Sequence, residues 1–466
     1  MPTPSDALVF FGATGDLAYQ QIFPALQRLV KSKELRVPVI GVAHSGYTTE
    51  RLIARARESV ERHGGVDPPA FDQLASLLSY VDGDYRDPAT FAALRGKLGQ
   101  ARAPLHYLAI PPSLFSTVVR GLGQSGCAEN GRVVVEKPFG RDLTSARALG
   151  EALHEVFPEN RVFRIDHFLG KEPVQNLVYF RFANTLFEPL WNARYIRRVQ
   201  ITMAESFGIR TRGKFYEEAG AIRDVVQNHL FEVVACLGME PPPDGEQDAF
   251  RTEKVRLLQS IRPLSLDSVV RGQYDGYRAE KDVAPASTVE TFAALRLEIE
   301  SPRWTGVPFL IRAGKKMATT ATEVLVEMRA PRTPAFIGEE PALNRLRLRL
   351  GPDVTLAVRL LSKRPGPLLD GDPVELIATH HPEPFEKTAY ERLLGDALHG
   401  DGTLFAREDG VEAAWRVVDP VLGDVVPVQP YAPGGWGPAL ADRLASETGG
   451  PWHDPKPSPS EPPLEN

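Results

Sequence analysis

The sequence predicts an α/β fold in its N-terminal part, a parallel sheet covered on both faces. An α+β part with a large, mainly antiparallel sheet follows. Three observations lead there. Short apolar runs alternate with helix-period segments through the first third of the 466 residues. A glycine turn separates the first strand from the first helix. The second half carries β-branched or long apolar runs joined by long polar connections rather than regular helices.

Ala7-Leu-Val-Phe-Phe11 reads as a buried strand, followed by the glycine turn and a helix to Lys33. Val37 to Ala43 is a second strand, and Thr48 to Arg62 a second helix. Leu105 to Ile110 and Arg132 to Glu136 are further strands with helical pattern between them. In the second half Tyr195 to Thr202, Thr291 to Ile299, Glu323 to Met328 and Val354 to Leu360 are strands. Ala219 to Leu237 is one helix packed against them. Pro241-Pro-Pro-Asp244 reads as a local loop rather than a linker, and His380-His381 as structural or surface residues in a proline-rich loop. The expected division is 1–165, dinucleotide-binding; 166–450, substrate-binding; and 451–466, a disordered proline-rich tail.

Composition excludes several classes. Hydrophobic residues at 42% and charged residues at 24% are the balance of a globular protein with ample core. Two cysteines support neither a disulfide framework nor a thiolate zinc cage. A net charge of −6 argues against a sequence-independent nucleic-acid binder. No run approaches 18 uninterrupted apolar residues, so no membrane span is expected. Met1 to Asp6 lacks a basic signal-peptide start. The expectation is a soluble, cytoplasmic, multi-domain protein.

Gly12-Ala13-Thr14-Gly15-Asp16-Leu17-Ala18 has the context of a dinucleotide-binding turn. One glycine permits the tight bend, the next lets backbone approach a pyrophosphate, and the helix N-terminus offers N–H groups. At the end of the second strand an acid accepts from a ribose 2′-hydroxyl, whereas an arginine pairs with a 2′-phosphate. This strand ends Gly41-Val-Ala-His44-Ser-Gly46, with neither. His44, Ser45 and Thr48 offer hydrogen bonds to a phosphate, and the choice between NADP and NAD stays open.

Two polar clusters interrupt apolar stretches, Arg164 to Asn176 and Ile222 to His229. Oxidising an alcohol needs a base for the hydroxyl proton, and histidine beside a carboxylate suits that work at neutral pH. His229 and Asp166 make such a pair if the fold unites them. His167 and Lys171, four apart, share a face on a helix and then form a basic phosphate site; the alternative is two solvated cations. Lys137, in Glu136-Lys-Pro-Phe-Gly140, falls at the carboxyl edge of the sheet beside a nicotinamide. Lys315 belongs to another basic turn, Arg312 to Lys316. No HExxH or Cys/His spacing suggests a metal.

Gly12–Ala18, Glu136–Gly140, Arg164–Glu172, Glu205 with Phe207-Gly208, Asp224–His229 and Val307–Lys315 occur in one order over nearly the whole chain. In this the chain resembles the glucose-6-phosphate 1-dehydrogenase family. The resemblance implies an N-terminal Rossmann domain and a C-terminal domain whose antiparallel sheet serves dimerisation, in a homodimer or homotetramer. It implies His229 as general base, Asp166 as its orienting carboxylate, and His167 and Lys171 as phosphate ligands. Lys137, Glu205, Asp224 and Lys315 match positions that hold sugar hydroxyls. Gly12, Ala13, Thr14, Gly15, Asp16, Leu17, His44, Lys137 and Pro138 match the cofactor side. The implied reaction oxidises glucose 6-phosphate at C1 to the 6-phosphogluconolactone with NADP, as in the oxidative pentose phosphate pathway.

Four departures accompany the resemblance. Tyr19-Gln20-Gln21 replaces a basic run, His44 an arginine, and Phe168 a tyrosine; Met317 to Thr322 lack an expected basic residue. Two weaken the 2′-phosphate site and two thin the sugar-phosphate site. Other readings are a related aldose or sugar-phosphate dehydrogenase using NAD or both cofactors, and a catalytically silent dinucleotide-binding regulatory paralogue.

Overall fold

The computed structural model describes residues 3–243, 247–331, 343–367, 371–379 and 386–458. His380 and His381 lie outside them. The chain forms two compact units: Met1–Glu172 with Pro242–Thr252 and Phe385–Glu412, and Pro173–Pro241 with Glu253–Pro384 and Ala413–Asn466. A unit boundary therefore crosses Pro241 and Pro242, where the sequence suggested only a local loop.

The first unit holds a six-stranded parallel sheet. Its strands are β1 (Leu8–Phe11), β2 (Val39–Ala43), β3 (Leu78–Asp82), β4 (Leu105–Leu108), β5 (Arg132–Glu136) and β6 (Val162–Ile165), in the order β3-β2-β1-β4-β5-β6. That is the doubly wound order of dinucleotide-binding sheets. β1, β2 and β4 are buried throughout, as near-continuous apolar strands covered on both faces must be. The helix after the glycine turn departs from expectation at its start: Ala18–Ile22 is a π-helical turn, and regular α-helix runs from Phe23 to Lys31.

This unit is not the continuous stretch 1–165. Helix Ala389–His399 returns to it and inserts Leu393, Leu394, Ala397 and Leu398 among Leu8, Phe10, Phe23 and Leu26. The apolar face of that helix needs a core, and Thr388 and Glu391 start it with a capping box.

The second unit carries a nine-stranded mixed sheet. Its strands are β7 (Ile196–Ala204), β8 (Val269–Tyr274), β9 (Phe292–Leu297), β10 (Phe309–Gly314), β11 (Ala321–Met328), β12 (Arg345–Gly351), β13 (Thr355–Lys363), β14 (Gly371–Thr379) and β15 (Val428–Tyr431). The order is β14-β13-β12-β11-β7-β10-β9-β8-β15. Only the β7–β10 and β8–β15 pairs are parallel. The expected single helix from Ala219 to Leu237 is instead three segments. Helix Gly213–Ala221 breaks at Gly220 (φ 64°), a π-helix spans Ile222–Leu230, and α-helix resumes over Phe231–Gly238. Gly220 is required: a Cβ there would overlap the Glu290 carboxylate, which accepts from the Ile222 N–H at 3.1 Å.

The disordered tail expected from Pro451 is not what the structure has over 451–458. Trp452 is buried, donating its indole N–H to Ala441 O at 2.9 Å. Asp454 accepts from the buried Arg312 at 2.7 Å. A buried guanidinium needs such a partner, which outweighs the local proline content. Among the described residues no helix is long and apolar enough to cross a membrane.

Candidate active site

In the first unit the glycine turn leaves β1 in the expected way. Gly12 has φ 79°, and a Cβ on it would overlap the Ala109 carbonyl oxygen. The N–H groups of Gly12 and Ala13 both point to Val42 O, at 2.9 and 3.3 Å. Gly12 and Ala13 therefore shape the turn, with Ala13 buried. Among the described residues, and apart from its chain neighbours Thr14 and Asp16, a Cβ built on Gly15 would meet within 4 Å the Gly12 carbonyl oxygen alone, at 3.2 Å. The outer side of Gly15 is thus open to a ligand. That cradle fits a dinucleotide pyrophosphate at Thr14 to Leu17.

Two strand exits on the carboxyl edge of the same sheet carry the other expected groups. β5 ends at Glu136, followed by Lys137 and a cis peptide to Pro138. Glu136 accepts hydrogen bonds from the Tyr107 and Tyr390 hydroxyls. Loss of hydration there pushes its carboxyl up to about 7, against the lowering effect of both tyrosines and Lys137. β6 ends at Ile165, and Asp166 follows, buried, accepting from the Phe168 N–H at 2.9 Å. Leu169 N–H donates to Asp166 O and Lys171 N–H to Phe168 O, both at 3.0 Å. His167 and Lys171 thus sit on successive tight turns ahead of helix Glu172–Ala183, not on the helix expected for them. They need no shared helix face. Lys171 packs on the Phe168 ring, and the His167 ring lies 9° from parallel to Tyr390 at 6.5 Å.

The second unit positions its own set. β7 and β10 are parallel neighbours with Ala204 opposite Gly314, so Glu205 and Lys315 leave the sheet side by side and pair. Lys315 is buried, with its ammonium 5.8 Å from the Tyr216 ring. Burial, then the charges of Asp224 and Glu205, holds the Tyr216 phenol far above its ordinary range. Asp224 and His229 are both buried on the π-helical segment. Five residues apart, they would point about 140° from each other on an α-helix. The i→i+5 bonding of a π-helix turns them toward one face. Arg212 approaches Asp224 at 3.9 Å.

Sequence reading missed Tyr107, Tyr390 and Tyr216. Tyr390 had a findable signal, the Thr388-x-x-Glu391 capping box around it. The first unit also gathers His154, Glu159 and Glu408, with ligand-type atoms within 4.8 Å of one another. Arg164 forks onto Glu159 at 2.7 and 2.8 Å, so that cluster is an ion-pair knot.

Residues 9–176 match the glucose-6-phosphate dehydrogenase NAD binding domain, and residues 178–453 the C-terminal domain of the same enzyme. The chain belongs to the glucose-6-phosphate dehydrogenase family. It is 43% identical over 442 residues to glucose-6-phosphate 1-dehydrogenase 1 of Mycobacterium bovis, covering 94% of each chain. It is 36% identical to the Bacillus subtilis enzyme, covering 96% of this chain and 98% of that one. Among solved structures, glucose-6-phosphate 1-dehydrogenase from Mycobacterium avium superposes with a TM-score of 0.90 at 42% identity, covering 98% and 99% of the two chains. A glucose-6-phosphate dehydrogenase in complex with its substrate glucose-6-phosphate superposes at 0.89 with 33% identity, covering 97% and 100%. The chain is an oxidoreductase of this family with a nicotinamide-dinucleotide-binding domain.

Proposed function

We propose that this glucose-6-phosphate dehydrogenase relative oxidises D-glucose 6-phosphate at C1 with NADP, giving 6-phospho-D-glucono-1,5-lactone. One observation carries the reading: Asp166, His167 and Lys171 occupy the turns that leave β6, at the carboxyl edge of a doubly wound sheet. That edge is where such sheets hold a reacting carbon against a dinucleotide.

A nicotinamide dinucleotide held at the glycine turn would supply the acceptor for the C1 hydride. His229 takes the C1 hydroxyl proton as the hydride leaves, so the C–O bond becomes the lactone carbonyl. Asp166 orients the imidazole and stabilises the imidazolium that forms. His167 and Lys171 hold the 6-phosphate, remote binding energy that aligns C1. Lys137, Glu205, Asp224 and Lys315 fix the sugar hydroxyls. Thr14 to Leu17, His44, Lys137 and Pro138 serve the cofactor.

Exposed Leu360, Leu361, Val374, Leu376 and Ile377 on β13 and β14 support a subunit contact in a homodimer or homotetramer. Cys127 and Cys236, both buried and kept as thiols rather than a disulfide, suit a cytoplasmic enzyme.

The test is turnover of purified protein with glucose 6-phosphate, galactose 6-phosphate and glucose, each with NADP and NAD. The expected order places glucose 6-phosphate first by kcat/KM. Preference for another sugar, or no turnover with any, refutes the reading.

A further inference from the structure

Beside the glycine turn the protein builds an anion site and fills it with its own charge. The chain leaves β2 at Ala43 and turns through His44, Ser45 and Gly46, the last at φ 65°. The N–H groups of Ser45 and Gly46 both donate to Asp82 Oδ1, at 3.0 and 2.8 Å. Two successive backbone N–H groups converging on one oxygen form a nest of the kind that binds phosphate. Asp82 ends β3 directly opposite Ala43 in the parallel register. Its position is secured by the Tyr80 hydroxyl, which donates to the same oxygen at 3.0 Å and meets Ser45 Oγ at 2.8 Å. Those donors, the Ser45 N–H first among them, hold the exposed carboxyl below its ordinary range.

We propose that Asp82 is a cofactor-selectivity residue: seated in the nest after β2, its carboxylate repels a ribose 2′-phosphate and accepts from a ribose 2′-hydroxyl. The chain therefore uses NAD alongside NADP. This rests on the dinucleotide-dependent reading above and adds which dinucleotides the site admits. The ends of these strands are where ribose is read, by an acid for the hydroxyl or a base for the phosphate. The acid here arrives from β3, so inspection of β2 alone finds neither.

Cations nearby prevent full exclusion of the phosphate. The Arg51 guanidinium lies 4.1 Å over the Tyr47 ring. Arg55 lies 4.8 Å over Tyr19, with Nη2 3.4 Å from Gly15 O. Both arise from helix Thr49–Arg62, one turn apart. Glu50 and Glu58 on the same helix offset part of that charge; Glu58 accepts from the Tyr19 hydroxyl at 3.0 Å.

The experiment titrates the full-length protein with NADPH and NADH, without sugar, following nicotinamide fluorescence. In the wild type the two Kd values should agree to within about tenfold; a preference for NADPH beyond about a thousandfold overturns the assignment. Asp82→Asn keeps the Oδ1 acceptor and removes the charge. It should tighten NADPH about tenfold and leave NADH within about twofold. An unchanged ratio, or weaker NADPH binding, overturns the assignment. Arg51→Gln should move the ratio the opposite way. Failure to oxidise glucose 6-phosphate would refute the proposed reaction and leave this binding ratio standing; an unchanged ratio in an active enzyme would refute Asp82 alone.

Discussion

The ammonium of Lys171 lies 3.7 Å from the centre of the Phe168 ring, in the turns that leave β6. A ring face attracts a cation, so this contact positions the Lys171 charge within those turns. Lys171→Ala should raise KM for glucose 6-phosphate roughly 10- to 100-fold, the loss of one charge-assisted bond of about 1.5–3 kcal/mol. KM for free glucose should hardly move. Equal effects on both sugars would remove the phosphate role. Phe168→Tyr adds a hydroxyl donor beside the same site and should lower KM for the phosphosugar alone.

Glu136 makes the stability of the first unit pH-dependent. Its carboxyl titrates at about 7 in the folded protein, raised by burial from an ordinary 4.5. The folded state therefore keeps a proton that the unfolded chain releases. That contribution is complete below pH 4.5 and is lost as pH rises through about 7. Glu136→Gln keeps the neutral shape at every pH. Its Tm relative to wild type should climb between pH 5 and 8, equivalent to on the order of 2 kcal/mol. A Tm difference that stays constant across that range would contradict the assignment.

Gly12→Ala tests the dinucleotide cradle. The substitution forces a Cβ into the Ala109 carbonyl at a residue with φ 79°. A cost of about 1–3 kcal/mol in stability is expected from the backbone conformation alone. Loss of NADPH quenching of protein fluorescence should accompany it. Retained affinity would mean that the turn is not the pyrophosphate site.

Much of the parallel sheet was legible because β1, β2, β4 and β5 are apolar runs bounded by turns. β3 was not: Leu78 follows helix Pro68–Leu77 directly, in extended conformation, with no glycine or proline between. β6 hides because Arg164 interrupts its apolar pattern, a buried charge whose partner is Glu159. Residue types at the site were legible for the same reason in reverse, since buried polar groups stand out in apolar stretches. Their registers were not. The π-helical segment that carries Asp224 and His229 starts at Ile222, whose N–H donates to Glu290, 66 residues beyond Asp224 and beside Gly220. Asp82 reaches Ser45 across 37 residues, a pairing set by strand register and invisible in either segment alone.

The proposed subunit contact has its own test. Leu376 is 62% exposed on β14, one of the two edge strands of the second sheet among the described residues. Leu376→Glu should shift the protein toward monomer in sedimentation velocity, with little change in the circular dichroism spectrum. An unaltered oligomer would place the contact elsewhere.

In the proposed reaction His229 removes the C1 hydroxyl proton, and steady-state oxidation of glucose 6-phosphate by His229→Ala measures that role. General-base catalysis of this kind supplies about 10²- to 10⁴-fold. A fall in kcat of that size with KM little changed is the predicted result; near-normal kcat in the folded variant would contradict it.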